Sequence, residues 1–389
     1  MLKHIFRFFK RFTSSLIRFF IPIKKGRVLC EAQGGQQYSC NPKYIAEYLL
    51  EYYPEDFEIV FTFVNPDAFE NIDSRIRKVR KATFKEFFYI NTAEYIISNY
   101  RLNDYGWGWR KRKGQKYIMT WHGSMPLKCV EFDAAEHLPT GYLKGAEQDS
   151  QNIDLMLSDS AWCTRFYKNA FHYNGEILER GLPRNDIFFI KEKLVNIRKK
   201  VFNYFGIKDN ILLVLYAPTF RNDLGINNYI LDWDEIHRSF ERKYKSKCIV
   251  FVRIHPGIKH QVNLSGIVNN KNVIDVTNYP DMQELICATD ILITDYSSTM
   301  FEAAIIEKPC FLFVKDVKSY NRGMYFSLEE LPFPYAFDKD TFIDLIDSFN
   351  LEKYKKDVKH MFSETFHYLQ DGKASKYLAS WMKTHSIQE

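Results

Sequence analysis

Two of the ten histidines stand where an imidazole is easiest to use. His122 lies between Trp121 and Gly123, just after the apolar run Lys116–Thr120. His255 follows Cys248–Val252, with Arg253 before it and Pro256-Gly257 after it. An imidazole titrates near neutrality, which suits it to take a proton from an alcohol, and Gly123 gives a substrate close access to the backbone. The plainer alternative for either residue is a satisfied loop histidine. A third segment, Thr294-Asp295-Tyr296-Ser297-Ser298-Thr299, joins an apolar run to the helical pattern Met300–Ile306. Hydroxyls at such a junction either cap the helix or, with its free N–H groups and dipole, bind phosphate. Glu302, one turn further on, faces a ribose or solvent. Ala217-Pro218-Thr219-Phe220-Arg221 makes a fourth polar strand end, after Ile211–Tyr216.

These segments need a scaffold of strands that end near one another. From residue 26 short apolar or β-branched runs alternate with helical stretches, which is α/β order. The first half reads as strands near Arg27–Ala32, Glu58–Val64, Ile76–Ala82, Tyr95–Ser98, Lys116–Thr120 and Asp154–Ser158, with helices near Pro42–Tyr53, Lys85–Asn91 and Ser160–Phe171. Asn41 is expected to cap the first helix, with Pro42 at its first position. The lysine-rich stretch Lys191–Lys200 reads as a link. A second series follows, with strands near Ile211–Tyr216, Cys248–Arg253, Val273–Val276, Ile291–Thr294 and Cys310–Val314, and helices near Trp233–Tyr244, Met282–Ala288 and Ser298–Ile306. The fold class is therefore α/β, two doubly wound Rossmann-like domains facing a cleft, with ligands beyond the carboxyl ends of the strands. The expected division is a basic amphipathic segment at 1–25, an amino-terminal domain at 26–195 and a carboxyl-terminal nucleotide-binding domain at 196–389. The last helices of the latter are free to pack back on the first domain.

The formal charge of +6 is concentrated at one end. Eight basic residues, from Lys3 to Arg27, precede the first acidic one, and the remainder carries 46 basic against 48 acidic residues. A near-neutral body excludes a general nucleic-acid footprint, so no nucleic acid is expected as a partner. Seven scattered cysteines without C-x-x-C spacing read as reduced core residues of a cytosolic protein. Asp232-Trp233-Asp234 and Asp338-Lys339-Asp340 only superficially match a D-x-D metal motif; no metal site and no cofactor are assigned. G-x-G-x-x-G, P-loop and G-x-S-x-G signatures are absent. Trp107 and Trp109 with Arg110–Lys113 form an aromatic, basic loop whose default reading is a solvated surface.

Within residues 1–21, Leu2, Ile5, Phe6, Phe9, Phe12, Leu16 and Phe20 share one helical face, and Lys3, Arg7, Lys10, Arg11 and Arg18 the other. The basic residues interrupt any signal-peptide core, and no apolar run reaches the roughly 18 residues a spanning helix needs. The expected partner is an anionic membrane surface, attracted by about 1 kcal/mol per basic residue.

Seven ordered segments carry a resemblance: Gly34–Leu49, Thr120–Lys128 (TWHGSMPLK), Gly175–Asp186, Tyr216–Asp223, Arg253–Pro256 (RIHP), Asp275–Phe301 and Asp371–Ser375. Together, over roughly residues 26–380, they resemble the CDP-glycerol glycerophosphotransferase family of teichoic-acid and related polymer synthesis. The resemblance implies a GT-B fold, a CDP-glycerol donor and a lipid-linked glycerol-phosphate acceptor, with wall teichoic acid or capsule polymer as product. It places the enzyme at the cytoplasmic face of the cell membrane, peripherally bound. It implies His122 and His255 as the essential pair. Arg253, Asp295, Ser297, Ser298, Thr299, Thr219 and Glu302 fall on the nucleotide and phosphate side, and Trp121, Gly123, Ser124, Lys128 and Arg184 on the acceptor side. Two features depart from the pattern. Gly-Ser-Met-Pro-Leu-Lys stands where many members read Gly-Thr-Pro-Leu-Lys, and only about 25 residues precede the core where polymerising members often carry a large domain. Primase and polymerase stay open, as do a CDP-ribitol donor and an inactive nucleotide-binding assembly component.

Overall fold

A computed structural model describes residues 18–102, 109–208, 210–219, 233–254, 271–317, 320 and 323–388. The chain divides into two compact units. One comprises Met1–His122, Glu131–Asp186 and Leu369–Glu389; the other comprises Gly123–Val130 and Ile187–Tyr368.

The first unit is built on seven parallel strands, β1 (Lys24–Glu31), β2 (Glu58–Phe63), β3 (Arg77–Arg80), β4 (Ala93–Ser98), β5 (Lys116–Met119), β6 (Leu155–Ser158) and β7 (Glu176–Glu179), in the order β3-β2-β1-β4-β5-β6-β7. β4 and β6 are buried along their whole length, as expected for a parallel sheet covered on both faces. The order turns back on itself between β1 and β4, and ligands of doubly wound sheets sit beyond the carboxyl ends at such a point. The second unit repeats the plan with β8 (Leu212–Tyr216), β9 (Cys248–Val252), β10 (Val273–Asp275), β11 (Ile291–Thr294), β12 (Cys310–Phe313) and β13 (Tyr335–Ala336), ordered β10-β9-β8-β11-β12-β13 and all parallel. Its turning point lies between β8 and β11. Each unit has its own apolar core, around Val28, Phe61 and Tyr95 in the first and Val214, Phe240 and Phe311 in the second.

Several expectations are corrected. Lys191–Lys200 is not a link but most of a helix, Lys191–Phe205, closed by Gly206 at φ 66. Val201 and Phe202 are buried on its inner face, and the lysines form its solvent side. Asn41 does not cap the first helix: that helix runs Cys40–Tyr52, Ser39 holds the N-cap position, and the Asn41 side chain is used elsewhere. β7 and the helix Thr140–Ser150 were not anticipated, and the last helices, expected without bounds, include Leu351–His360 and Ala374–Thr384. Asp338 is a helix cap, accepting from the Thr341 N–H at 2.9 Å. Residues 1–17 lie outside the described residues. Arg18–Phe20 are helical, and β1 already begins at Lys24, inside the segment expected to be amphipathic.

The grouping of Leu369–Glu389 with the first unit has a visible cause. Asp186, in the Gly175–Asp186 motif, accepts from the N–H groups of Ala374 at 2.9 Å and Ser375 at 2.8 Å, the first residues of the Ala374–Thr384 helix. Gln370 joins in, accepting from Leu182 N–H at 3.1 Å and donating to its carbonyl at 2.9 Å. The Gly175–Asp186 and Asp371–Ser375 segments thus meet as cap and helix start. Beyond β4, Arg101 is enclosed with two carboxylates, Glu131 at 2.9 Å and Asp149 at 3.4 Å. Asp149 also accepts from Leu102 N–H at 3.2 Å. Burial pushes its carboxyl up to about 6 against the opposing pull of Arg101.

Two outcomes follow. Asp186→Ala removes a cap from a buried helix start and is expected to cost about 1–2 kcal/mol, read from urea denaturation. An unchanged midpoint would contradict the capping role. For Asp149 the folded state holds its proton more tightly than the unfolded chain does. Its stabilising contribution is therefore complete below about pH 4 and is lost as pH rises through about 6. Asp149→Asn should flatten the stability profile between those values; an identical slope in both proteins would contradict this.

Candidate active site

β5 ends at Met119, and the next residues make the turn that carries His122. Trp121 adopts φ +53, a left-handed conformation that costs a residue with a side chain roughly 1–2 kcal/mol. Its indole packs edge-on against Phe171, ring centroids 4.7 Å apart. The turn directs the His122 imidazole toward the end of β4. There its Nδ1 lies 2.8 Å from the backbone carbonyl of Asn99. A carbonyl only accepts, so Nδ1 carries the proton and Nε2 keeps its lone pair in the neutral ring. The ring is stacked on Tyr100 at 4.6 Å and lies against Trp121 at 3.9 Å, and His122 is half-buried. A neutral imidazole of fixed tautomer, held on two faces, has the geometry of a general base.

Loops at the turning point of the sheet enclose this residue. Asn99, fully buried after β4, accepts from the Gln33 N–H at 2.8 Å through Oδ1, joining the end of β4 to the end of β1. Gln33, Gly34 and Gly35 are all at positive φ, and a Cβ at Gly34 would meet nothing within 4 Å. Arg184, expected on the acceptor side, is buried and donates from Nη1 to the His122 carbonyl at 2.8 Å. Ser124 is buried, and Lys128 pairs through its backbone with Met324 in the second unit, to which Gly123–Val130 belong. Asn99 and Tyr100 had no motif to mark them; Asn41 lies within the Gly34–Leu49 segment, where Pro42 at the first helical position suggested only a cap.

In the second unit the groups expected to hold a nucleotide gather at the ends of β8, β9 and β11. Asp295 is buried and serves as an acceptor hub. It takes the Thr219 N–H at 2.9 and 3.0 Å, the Thr219 hydroxyl at 2.5 Å and the Tyr296 N–H at 2.6 Å. Thr294 adds a bond from its hydroxyl to the Ala217 carbonyl at 2.6 Å. Asp295 therefore ties the two loops at the turning point together. Ser297, Ser298 and Thr299 are half-buried there. Ser297 Oγ lies 2.7 Å from Thr299 Oγ1 and accepts its N–H at 3.3 Å, whereas Ser298 stands at the N-cap position without a side-chain cap bond. Glu302 does not face solvent: it is buried and accepts from Gln283 Nε2 at 2.8 Å. Arg253 is buried too, donating from Nη1 to the Tyr279 carbonyl at 2.6 Å; burial lowers its guanidinium to about 10 despite the nearby Asp281. His255, Phe220, Arg221 and Trp107 lie outside the described residues. Among the described residues no group of three or more His, Cys, Asp or Glu side chains is arranged to hold a metal ion.

Comparison with known proteins places this geometry. The chain is 30% identical over 375 residues to a teichoic acid poly(glycerol phosphate) polymerase of Staphylococcus epidermidis, covering 92% of this chain and 50% of that protein. It thus spans about half the length of that relative. It is 29% identical over 378 residues to a teichoic acid poly(glycerol phosphate) polymerase of Bacillus spizizenii, covering 92% of this chain and 91% of the other. Among solved structures it is similar to the wall teichoic acid polymerase TagF, in a histidine-to-asparagine variant soaked with CDPG, at 27% identity and a TM-score of 0.83 over 98% of this chain and 96% of that one. Residues 13–382 match the family model described as CDP-glycerol:poly(glycerophosphate) glycerophosphotransferase, and with two parallel sheets of matching order beneath that match, the chain belongs to this family.

Proposed function

We propose that the protein transfers glycerol phosphate from CDP-glycerol to a hydroxyl of a membrane-linked acceptor or growing polymer, releasing CMP. The observation that carries this reading is the His122 imidazole, whose Nδ1–H is committed to the Asn99 carbonyl. In the reaction the acceptor oxygen attacks the phosphorus that bears glycerol. A new P–O bond forms, the P–O bond to CMP breaks, and the hydroxyl proton passes to His122 Nε2. Phosphoryl transfer needs little covalent chemistry from the protein beyond positioning and charge stabilisation. Here the half-buried hydroxyls of Ser297, Ser298 and Thr299 and the Thr219 loop bind the donor's diphosphate, with His255 and Arg253 offsetting charge on the departing CMP. Asp295 takes part by fixing the loops, since a carboxylate beside a phosphate would repel it.

Association with an anionic membrane surface through residues 1–21 belongs to the same proposal. Arg112 supports it, because its guanidinium donates to the carbonyls of Arg18 and Ile21, each at 2.9 Å, and of Asn91 at 2.6 Å. That joins the end of the amino-terminal segment to the basic loop containing Arg110 and Lys113, beside the exposed Phe19 and Phe20. A peripheral position at the cytoplasmic face brings the enzyme to its lipid-linked acceptor. Among the described residues no helix is long and apolar enough to cross a membrane.

The test is CMP release by purified protein with CDP-glycerol or CDP-ribitol and a lipid-linked, glycerol-phosphate-primed acceptor. Acceptor-dependent release with CDP-glycerol is expected, and His122→Ala should lower turnover by about 10²–10⁴-fold while the variant remains folded in thermal melting. Preference for CDP-ribitol would reassign the donor. Near-normal turnover by His122→Ala would overturn the general-base role, and nucleotide binding without release from any acceptor would favour an inactive assembly component.

A further inference from the structure

The turn that aims His122 contains a left-handed tryptophan, and such a conformation persists only where its surroundings over-determine it. Three successive carbonyls of this turn accept from two side chains. Asn41 Nδ2 donates to the carbonyls of Thr120 at 3.3 Å and Trp121 at 3.2 Å, and Arg184 Nη1 donates to that of His122 at 2.8 Å. The two donors also hold each other, because Asn41 Oδ1 accepts the Arg184 N–H at 3.1 Å. Asn41 is fully buried and Arg184 is 5% exposed, so neither group is placed to exchange these bonds for water. The three bonds to the turn fall on the backbone that carries the imidazole.

We infer that Asn41 and Arg184 are positioning residues for His122, clamping the Thr120–His122 turn so that the imidazole stays against Asn99 and Tyr100. The inference deepens the reading of His122 as general base and rests on it. It also accounts for an asparagine in the first turn of a helix that it does not cap, and for a buried arginine that donates to the His122 carbonyl and to the Cys40 sulfur. Both a donor and an acceptor are needed at position 41. Asn41→Asp keeps the shape and the bond from Arg184 N–H, but sets an oxygen where the amide NH₂ faces two carbonyls.

The experiment compares wild type, Asn41→Asp and Arg184→Gln by CMP-release kinetics, thermal melting and hydrogen–deuterium exchange. A misplacement of the order of 1 Å at a reacting group costs up to about 10²-fold in rate. The expected result for each variant that folds is a kcat lower by about 10–100-fold, a donor KM within about twofold of wild type, and faster exchange confined to the peptide spanning Thr120–Ser124. Unchanged kcat, exchange rising throughout the first unit, or failure of both variants to fold would overturn the inference by making these residues unimportant or merely structural. If wild type itself released no CMP, the functional reading would fall. The exchange data would still decide the clamp, with a local increase upholding it and an unchanged Thr120–Ser124 peptide overturning it.

Discussion

The hydrogen bond from His122 Nδ1 to the Asn99 carbonyl is the contact on which the rest of the site depends. It decides which nitrogen is basic, and it exists only because the ends of β4 and β5 lie side by side. Their parallel register, Ser98 opposite Met119, brings the residue after one strand to the turn after the other. Apolar burial builds the sheet, since β4 has no exposed position and the strands around it are nearly as enclosed. Polar bonds then shape its edge: Gln33 to Asn99, Asn41 to the Thr120 and Trp121 carbonyls, Arg184 to the His122 carbonyl. Such bonds are each worth only about 1 kcal/mol net, yet leaving any of these buried groups unpaired would cost more. Together they offset the strain at Trp121.

The second unit solves a related problem with one carboxylate. Asp295 gathers two backbone N–H groups and a hydroxyl, so the loops after β8 and β11 are held as a pair at the turn of strand order. The hydroxyls of Ser297, Ser298 and Thr299 follow directly. Asp295, which reads from sequence as a phosphate contact, is bonded here to Thr219 and Tyr296. Glu302 accepts from Gln283, and Arg253 donates to the Tyr279 carbonyl.

How far the sequence could be read depended on range. Runs such as Leu212–Tyr216 and Ile291–Thr294 are apolar without interruption, and a run of that kind is legible as a buried parallel strand. The polar ends of those strands were legible for the same reason, because Trp121-His122-Gly123 and Asp295–Thr299 interrupt a strong pattern. In Lys191–Phe205 the helical spacing of Leu194, Val201 and Phe202 is masked by the charges around them. Asn41 and Asn99 were out of reach: their partners lie 80 and 66 residues away, and no local periodicity encodes a bond across that distance. The roles of Asp186 and Gln370 were hidden likewise, since a helix capped from 188 residues away bears no cap in its own sequence.

The central claim is that His122 has an unprotonated Nε2 because the Asn99 carbonyl holds the proton on Nδ1. Nitrogen-15 NMR of histidine-labelled protein measures this directly, with His122 assigned by the resonances lost in His122→Ala. In the neutral ring the account predicts a protonated Nδ1 and an unprotonated Nε2. A proton found on Nε2, with Nδ1 bare, would contradict it.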